Sequence, residues 1–162
     1  MKVTVFANEL KLARKRLGLT QEEVCLKVGI AEIATLSRWE NAKDMPSKDM
    51  FEKLYSLYDE DPYLDYLYLR SSSPSGRRIL PFMEKRDIGN SVLLLQKEHT
   101  DINRVKDTMI EIACDGQIDE HEQASWEKSM KEVDELAVAC MGLRFIKNKK
   151  PLQDGRLERA YI

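Results

Sequence analysis

The sequence is poor in glycine, proline and cysteine, and it lacks a large excess of charge of either sign. Its 162 residues include seven Gly, five Pro and three Cys, and 26 Lys and Arg nearly balance 28 Asp and Glu. So few turn-forming residues favour a helical globular chain over a loop-rich or disordered one. A formal net charge of −2 excludes a strongly basic footprint over the whole chain, so the overall charge indicates no particular partner.

Long hydrophobic runs are also missing. No stretch approaches the roughly 20 apolar residues that span a bilayer, and Glu9 interrupts the region where a signal peptide would continue its apolar run. The cysteines, Cys25, Cys114 and Cys140, are odd in number and far apart. We interpret them as buried thiols and not as disulfides or a zinc site. Together these absences predict a cytoplasmic protein with no membrane partner.

A Ser-rich break divides the chain. Residues 70–78 combine Ser, Pro and Gly with Arg and contain no apolar residue until Ile79, which predicts a linker. Short helical patterns precede the break and long ones follow it. The predicted organisation is an N-terminal domain over 1–70, a linker over 71–80, a second domain over 81–148 and a flexible basic tail over 149–162.

The N-terminal part predicts five short helices. Thr20 and Glu23 form a capping box, in which each side chain accepts a hydrogen bond from the other residue's backbone N–H. Gly18 and Gly29 are suited to end the first two helices. Five tyrosines between residues 55 and 68 recur at helical spacing, and we interpret them as core packing. The predicted helix starts are Asn8, Thr20, Glu32, Ser47 and Asp61.

The second part predicts two helices of about 25 residues, because apolar residues recur there at steps of three and four. The first stripe comprises Ile88, Val92, Leu95, His99, Ile102, Val105, Met109 and Ile112. The second comprises Trp126, Met130, Val133, Ala137, Cys140 and Leu143. The period breaks at residues 114–118, which predicts an antiparallel hairpin with a new helix start at Asp119. A lone hairpin exposes part of such stripes, so we predict a homodimer or homotetramer.

Three segments of the N-terminal part carry a family resemblance. Residues 17–24 read Leu-Gly-Leu-Thr-Gln-Glu-Glu-Val, residues 37–41 read Ser-Arg-Trp-Glu-Asn, and Pro-Ser follows at 46–47. In this order they resemble the XRE, or lambda-repressor-like, DNA-binding domain, over roughly residues 8–69. The resemblance implies an all-α fold of five short helices. Its second and third helices form a helix-turn-helix, and the third enters the major groove of double-stranded DNA.

The resemblance also implies the residues that contact DNA. Gln21 would hold a phosphate beside the N-terminus of the second helix, where backbone N–H groups and the helix dipole favour an anion. Glu40 would anchor a helix end and Trp39 would pack the third helix against the core. The implied DNA-contacting residues of the third helix and the loop after it are Ile33, Ala34, Thr35, Ser37, Arg38, Asn41 and Lys43.

Two features of the sequence bear on the DNA contacts that the resemblance implies. The segment that starts at Gly29 departs from the family pattern, because it is one residue longer and lacks the usual hydroxylic cap. Ile33 and Ala34 can contact thymine methyl groups but cannot form bidentate hydrogen bonds with bases. Arg14 is a further candidate phosphate contact, with a solvated helix face as the alternative. The cations that could form one basic face are Lys11, Arg14, Lys15, Arg16, Arg38 and Lys43.

The sequence shows no catalytic or metal-binding pattern. Walker, GxSxG and HExxH motifs are absent from the sequence, so we predict no enzyme activity, no cofactor and no metal. Residues 115–122 are acidic and include one His, but they match only a fragment of a calcium-binding loop. We prefer a helix stop at Gly116 followed by a cap at Asp119, with a metal sensor as the alternative.

The predicted function is a sequence-specific transcription regulator, acting as a repressor on a palindromic operator. The alternative is an antitoxin-like or phage-type regulator whose C-terminal hairpin binds a protein partner. A helix-turn-helix unit that is used only for protein contacts is a further alternative.

Overall fold

The structure, a computed structural model, describes residues 3–146, and all regular secondary structure in that range is helical. Its helices are α1 (Val3–Arg16), α2 (Gln21–Val28), α3 (Ile33–Glu40), α4 (Lys48–Leu57), α5 (Pro62–Ser72), α6 (Pro74–Ile79), α7 (Ile88–Ala113) and α8 (Gln123–Arg144). The predicted all-α fold class is confirmed. The predicted tail, residues 149–162, and the last two residues of the predicted second domain lie outside the described residues.

Side-chain caps set the starts of α2, α4 and α5. The Thr20 hydroxyl accepts a hydrogen bond from the Glu23 N–H (3.1 Å), and the Glu23 carboxylate accepts one from the Thr20 N–H (2.7 Å). Ser47 and Asp61 accept hydrogen bonds from backbone N–H groups in the first turns of α4 and α5. These caps satisfy donors that a helix leaves without intrahelical partners, so the three predicted starts are confirmed.

The first helix begins earlier than the sequence predicted. α1 starts at Val3, and Asn8, the expected cap, is exposed within the helix. Phe6 and Leu10, both 0% exposed, lie one turn apart on the same face, so burial extends the helix beyond the expected cap. The predicted stop is confirmed, because Gly18 follows the helix with a φ of 69°, which glycine adopts without strain.

The N-terminal helices enclose the main core of the described residues. Its fully buried apolar side chains include Phe6, Leu10, Val24, Leu36, Phe51, Leu54 and Leu64. The rings of Phe51 and Tyr68 stack with their centroids 3.8 Å apart. Tyr58, Tyr63 and Tyr66 are buried as well, so the interpretation of these tyrosines as core packing is confirmed.

The segment predicted as a linker, 71–80, is largely helical in the structure. α5 extends into it, and α6 follows after a single residue. Ser73 caps α6 by accepting a hydrogen bond from the Gly76 N–H (2.9 Å), and Pro74 occupies the first turn. A Cβ on Gly76 would lie 2.2 Å from the Leu69 carbonyl oxygen. The Ser, Pro and Gly residues therefore build a tight corner between two helices.

Residues 80–87, here called the strap, connect α6 to α7 and lie against α5. The Tyr63 hydroxyl donates to the Met83 carbonyl (3.0 Å), and Arg70 Nε donates to the Leu80 carbonyl (2.9 Å). Met83 itself is 2% exposed. Because α5 binds the backbone of the strap at both positions, the start of the hairpin is held against the N-terminal helices.

An ion-pair cluster attaches the strap to α1 and α5. Lys85 Nζ lies 2.8 Å from an Asp61 carboxylate oxygen and 3.2 Å from one of Glu9. Arg16 contacts the same two carboxylates at 2.9 and 2.7 Å. Burial alone would raise the pKa of Asp61, but the hydrogen bond and charge of Lys85, with the charge of Arg16, hold that pKa below its usual range.

α7 and α8 pack along each other as the predicted hairpin. Asp87 caps α7 by accepting a hydrogen bond from the Asn90 N–H (2.9 Å), and Gly116 turns the chain with a φ of 77°. α8 begins at Gln123, later than the predicted start at Asp119. Among the described helices, none combines the length and apolarity needed to cross a membrane.

The buried face of the hairpin differs from the predicted stripes. The buried residues of α7 and α8 are Ser91, Glu98, Ile112, Ser129 and Ala139. Val92 and His99, predicted inside, are exposed, as are Ala137 and Cys140. Each helix of a two-helix hairpin has one neighbour along most of its length, so the contact is narrower than the apolar stripe. Neighbouring polar residues, such as Ser91 and Glu98, occupy that contact instead.

The end of α8 returns to the N-terminal helices. The Phe145 ring lies 5.7 Å from the Tyr63 ring and 5.2 Å from the Tyr66 ring, measured between centroids. Val138 and Met141 pack against the same core. The strap before α7 and the residue after α8 therefore both contact α5. The division into domains over 1–70 and 81–148 stays a prediction.

The cysteines follow the prediction only in part. Cys25 is buried, as expected, whereas Cys114 and Cys140 are exposed. Cys114 follows the end of α7, and Cys140 lies on the outer side of α8. The interpretation of all three as buried thiols is therefore wrong for these two.

Candidate nucleic-acid interface

α2 and α3 are joined by a short turn that begins at Gly29. This glycine adopts a φ of 78°, and its N–H donates to the Cys25 carbonyl (2.9 Å), which ends α2. Glu32 occupies the N-cap position of α3 without a side-chain capping hydrogen bond. Two eight-residue helices joined in this way have the geometry of a helix-turn-helix unit.

Buried apolar residues determine which face of α3 points outward. Leu36 and Trp39, at 0% and 7% exposure, pack on the core, as the resemblance implied for Trp39. Ile33 is 46% exposed, Ala34 is exposed, and the Arg38 side chain is 60% exposed. The outward face of α3 therefore presents two apolar side chains, Ile33 and Ala34, near its N-terminus and one cation, Arg38, near its C-terminus.

A buried polar network, here called the clasp, joins α1, α2 and α3. It consists of Arg14, Gln21 and Glu40. Arg14 donates to both Glu40 oxygens (2.6 and 2.8 Å) and to the Leu19 carbonyl (2.8 Å), and Gln21 Nε2 donates to Glu40 Oε2 (2.8 Å). The hydrogen bond and charge of Glu40 raise the pKa of Arg14 above its usual value. Because the clasp contacts both helices of the unit, it fixes α3 relative to α2.

Arg14, a predicted phosphate contact, lies in a buried position. Its side chain is 10% exposed and that of Glu40 is 1% exposed. The guanidinium could reach a phosphate only by breaking a buried bidentate ion pair, which is strongly unfavourable. The pairing favours a role for Arg14 in holding α3 in place, and its phosphate contact stays an untested prediction. Glu40 lies at the end of α3 and anchors it, as the resemblance implied.

The burial of Arg14 could have been predicted from the sequence. Arg14 follows Leu10 by one helical turn, and Leu10 lies fully in the core. Residues one turn apart share a helix face, so the apolar pattern of α1 already places Arg14 on the inward side. The partner Glu40 could not be identified in this way, because it lies 26 residues away in the chain.

Gln21 occupies the first residue of α2 and is half-buried. One of its amide hydrogens is used in the clasp, but a glutamine amide has a second one to donate. The N-terminus of α2, with its dipole, lies beside this group and favours an anion. The phosphate contact of Gln21 stays a prediction, and the structure adds that the same side chain binds Glu40.

The remaining predicted contacts lie at the end of α3 and in the loop after it. Asn41 and Lys43 are exposed, and Asn41 Nδ2 donates to the Ser37 carbonyl (2.7 Å) at the end of the helix. Arg38 lies 3.4 Å from Asp44, but these side chains are 60% and 55% exposed. An exposed ion pair of this kind is weak, so Arg38 is available to DNA.

Thr35 and Ser37 are half-buried beside the outward face of α3. Their hydroxyls can donate and accept hydrogen bonds. The predicted residues of α3 and its loop are therefore exposed or half-buried, whereas Arg14 on α1 is buried.

The predicted basic face is not assembled from the cations of α1. Arg14 is enclosed in the clasp, and Arg16 is paired with Glu9 and Asp61. Lys15 is exposed on the same helix. Fewer cations are therefore free to bind phosphates than the sequence suggested. Any DNA affinity of this face would depend mainly on α3 and the loop that follows it.

The comparison with protein families identifies this part of the chain. Residues 10–63 match the family model described as Helix-turn-helix, which includes all of α2, α3 and α4. No curated protein and no solved structure matches the chain significantly. The family is a DNA-binding regulator domain that is typically without enzyme activity. Residues 10–63 therefore resemble a helix-turn-helix domain of the XRE, or lambda-repressor-like, type, and this match supports a DNA-binding transcription regulator.

Proposed function

We propose that this protein is a sequence-specific repressor that binds a palindromic double-stranded operator as a dimer or tetramer. The observation that carries the proposal is the outward face of α3, which is exposed while the clasp and the core hold the helix rigidly. A rigid helix with an exposed face can enter a major groove without rearrangement. DNA binding implies a location in the cytoplasm or nucleoid, and we propose the cytoplasm.

The proposed contacts follow from the chemistry of the exposed groups. Ile33 and Ala34 at the start of α3 contact thymine methyl groups, which lie in the major groove. Arg38 binds either a guanine edge or a phosphate, since a guanidinium is suited to both. Gln21 and Lys43 bind backbone phosphates on the two sides of the groove. Because Ile33 and Ala34 contact thymine methyl groups, we expect the operator to contain thymines near the centre of each half-site.

The oligomer is supported by a line of exposed residues along α7, here called the outer stripe. It consists of Ile88, Val92, His99 and Ile110, whose spacings of 4, 7 and 11 residues place them on one side of the helix. Ile88, Val92 and Ile110 are 65%, 50% and 56% exposed. Burying this stripe between two copies would give a two-fold dimer, with recognition helices about one DNA turn (~34 Å) apart.

Binding to DNA fragments selected from a random pool, measured by fluorescence anisotropy, tests the proposal. Replacing both Arg38 and Lys43 by Ala is expected to weaken binding at least tenfold. It should also reduce the slope of log affinity against log salt by about 0.9 for each lost phosphate contact. Lys106→Ala, which removes an exposed cation on α7, is the matched control and should bind as the parent does.

Two outcomes would contradict the proposed docking. The selection would yield no enriched DNA sequence, or the Arg38/Lys43 double variant would bind DNA as tightly as the parent does. The alternative, a regulator that acts through a protein bound by the hairpin, uses the same outer stripe. A stoichiometric foreign protein that co-purifies with the chain, in place of a homogeneous oligomer, would favour that alternative.

A further inference from the structure

Three glutamates converge between the two helices of the hairpin. Glu98 on α7 and Glu132 and Glu135 on α8 each place a carboxylate oxygen within 4.8 Å of the others. Glu132 and Glu135 are three residues apart and therefore share a face of α8. We propose that this glutamate cluster binds one divalent cation through oxygen ligands and that the cation bridges α7 and α8.

Glu98 distinguishes the cluster from an ordinary acidic surface. Its side chain is 5% exposed, and its Oε2 atom is buried without a hydrogen-bond partner among the described residues. The other oxygen accepts a hydrogen bond from Lys97 Nζ (2.9 Å). A buried carboxylate oxygen without a partner is unfavourable, because it loses its hydration and gains nothing in return. A cation beside it would supply the missing interaction.

The charges around the cluster leave it net negative. Lys97 contacts Glu98 but is 60% exposed and also contacts Asp101. Lys131 lies 3.5 Å from Glu135 and is 72% exposed. Ammonium groups this exposed are screened by water and interact only weakly with their partners. Arg86 also lines an adjoining cavity, but it is paired with Glu84, and Asp134 adds a further carboxylate to the cavity wall. These cations do not neutralise the converging carboxylates, so the site retains an attraction for a cation.

A cavity of about 440 Å³ borders the cluster. Its walls include Phe82 and Met83 from the strap, Leu94 and Glu98 from α7, and Glu135 from α8. Such a space provides an entry path for an ion and room for water molecules that complete its coordination.

The donor set selects the class of cation. Three carboxylates are hard oxygen ligands, which suit Mg²⁺, Mn²⁺ and Ca²⁺ better than they suit metals that prefer thiolate or imidazole. Metal–oxygen distances for these ions are about 2.0–2.6 Å, so two ligands on opposite sides of one ion lie about 4–5 Å apart. The observed limit of 4.8 Å accommodates one ion. The site lies between α7 and α8, apart from the acidic turn at 115–122 that the sequence analysis considered.

Mn²⁺ is the probe for the test, because its free form gives a six-line electron paramagnetic resonance signal. Titrating the full-length chain should remove this signal to a stoichiometry of one Mn²⁺ per chain. Thermal unfolding should shift upward by several degrees when Mn²⁺, Mg²⁺ or Ca²⁺ replaces EDTA, since an ion that binds only the folded chain stabilises it. Neither measurement involves DNA, so the result is independent of the proposed repressor function.

Glu98→Gln is expected to weaken Mn²⁺ binding at least tenfold and to abolish the upward shift. Its melting temperature in EDTA should not fall, because a neutral amide removes the unpartnered buried charge. Glu135→Gln, at a partly exposed position, should weaken Mn²⁺ binding to the same extent. If Glu98→Gln fails to fold, Glu135→Gln tests the cation site in its place. Glu120→Gln, in the exposed turn, is the matched control and should bind as the parent does.

The proposal is overturned if the parent chain shows no saturable loss of the Mn²⁺ signal. It is also overturned if Glu98→Gln and Glu135→Gln bind Mn²⁺ as tightly as Glu120→Gln does.

Discussion

The N-terminal bundle and the hairpin bury their apolar residues to very different extents. In the bundle, Leu10, Leu36 and Leu64 are 0% exposed. In α7 and α8, the buried apolar residues are Ile112 and Ala139, whereas Leu93 is 69% exposed and Ile88, Val92 and Ile110 are at least half exposed.

This difference comes from geometry more than from composition. Five short helices that cross one another enclose a volume, and each contributes a face to it. Two antiparallel helices meet along a single line, so residues on the flanks of each apolar stripe stay outside the contact. The bundle can therefore complete its core within one chain, whereas the hairpin leaves apolar surface for a partner.

The N-terminal bundle and the hairpin also differ in whether their buried charged groups have hydrogen-bond partners. In the clasp, Arg14 and Glu40 satisfy each other with two hydrogen bonds. In the hairpin, one oxygen of Glu98 is buried without a partner in the part of the chain that the structure describes. The bundle thus satisfies its buried ions internally, and the hairpin has a polar group that an external cation could satisfy.

Removing Glu40 should have the largest effect on stability, because it leaves the Arg14 charge buried and unpaired. Glu40→Ala is expected to lower the free energy of unfolding by about 3–5 kcal/mol, measured by urea denaturation followed by circular dichroism. Asp44→Ala, which removes the exposed partner of Arg38, is the matched control and should change the same quantity by less than about 0.5 kcal/mol. Equal effects of the two substitutions would refute the structural role of the clasp.

Acid should weaken the attachment between the strap and the bundle. Lys85 and Arg16 hold the folded pKa of Asp61 below its usual value. The stabilising contribution of Asp61 is therefore present above that usual value and is lost as pH falls through the folded pKa. The melting temperature is expected to fall as the pH drops below about 4. In Asp61→Asn this part of the decline should be absent, and an unchanged decline would show that other groups cause it.

The outer stripe should affect assembly with little effect on the fold of one chain. Val92→Ser combined with Ile110→Ser is expected to reduce the mass measured by light scattering to that of one chain, 18.8 kDa. Each exposed substitution should change the free energy of unfolding of the monomer by about 0.5 kcal/mol or less. The control replaces Leu26 and Ile79, which are exposed elsewhere, by Ser and should retain the parent mass. A parent chain that is monomeric at high micromolar concentration would contradict the proposed oligomer.

Much of the helical framework could be predicted from local sequence. Thr20, Ser47 and Asp61 mark helix starts through hydrogen bonds that span two or three residues, and Gly29 marks an end through its positive φ. These features depend on neighbours in the chain, so a sequence pattern contains them. The start of α1 was predicted wrongly because burial of Phe6 outweighed the expected cap at Asn8.

Some predicted DNA contacts lie where such contacts are physically accessible. The resemblance implied that Ile33, Ala34, Arg38 and Lys43 contact DNA, and these four residues are exposed, while the contacts themselves stay a prediction. The role of Arg14 was not predicted, because it depends on a carboxylate 26 residues away.

Local sequence specifies the helical composition, the helix-turn-helix unit and the long hairpin, because caps, glycines and apolar periodicity act over one or two turns. Which charges are enclosed depends instead on the tertiary structure. It paired Arg14 with Glu40, joined Lys85 to Glu9 across 76 residues, and brought Glu98 to Glu132 and Glu135. The physical reason is that desolvation and ion pairing depend on distances in space, which local periodicity does not specify.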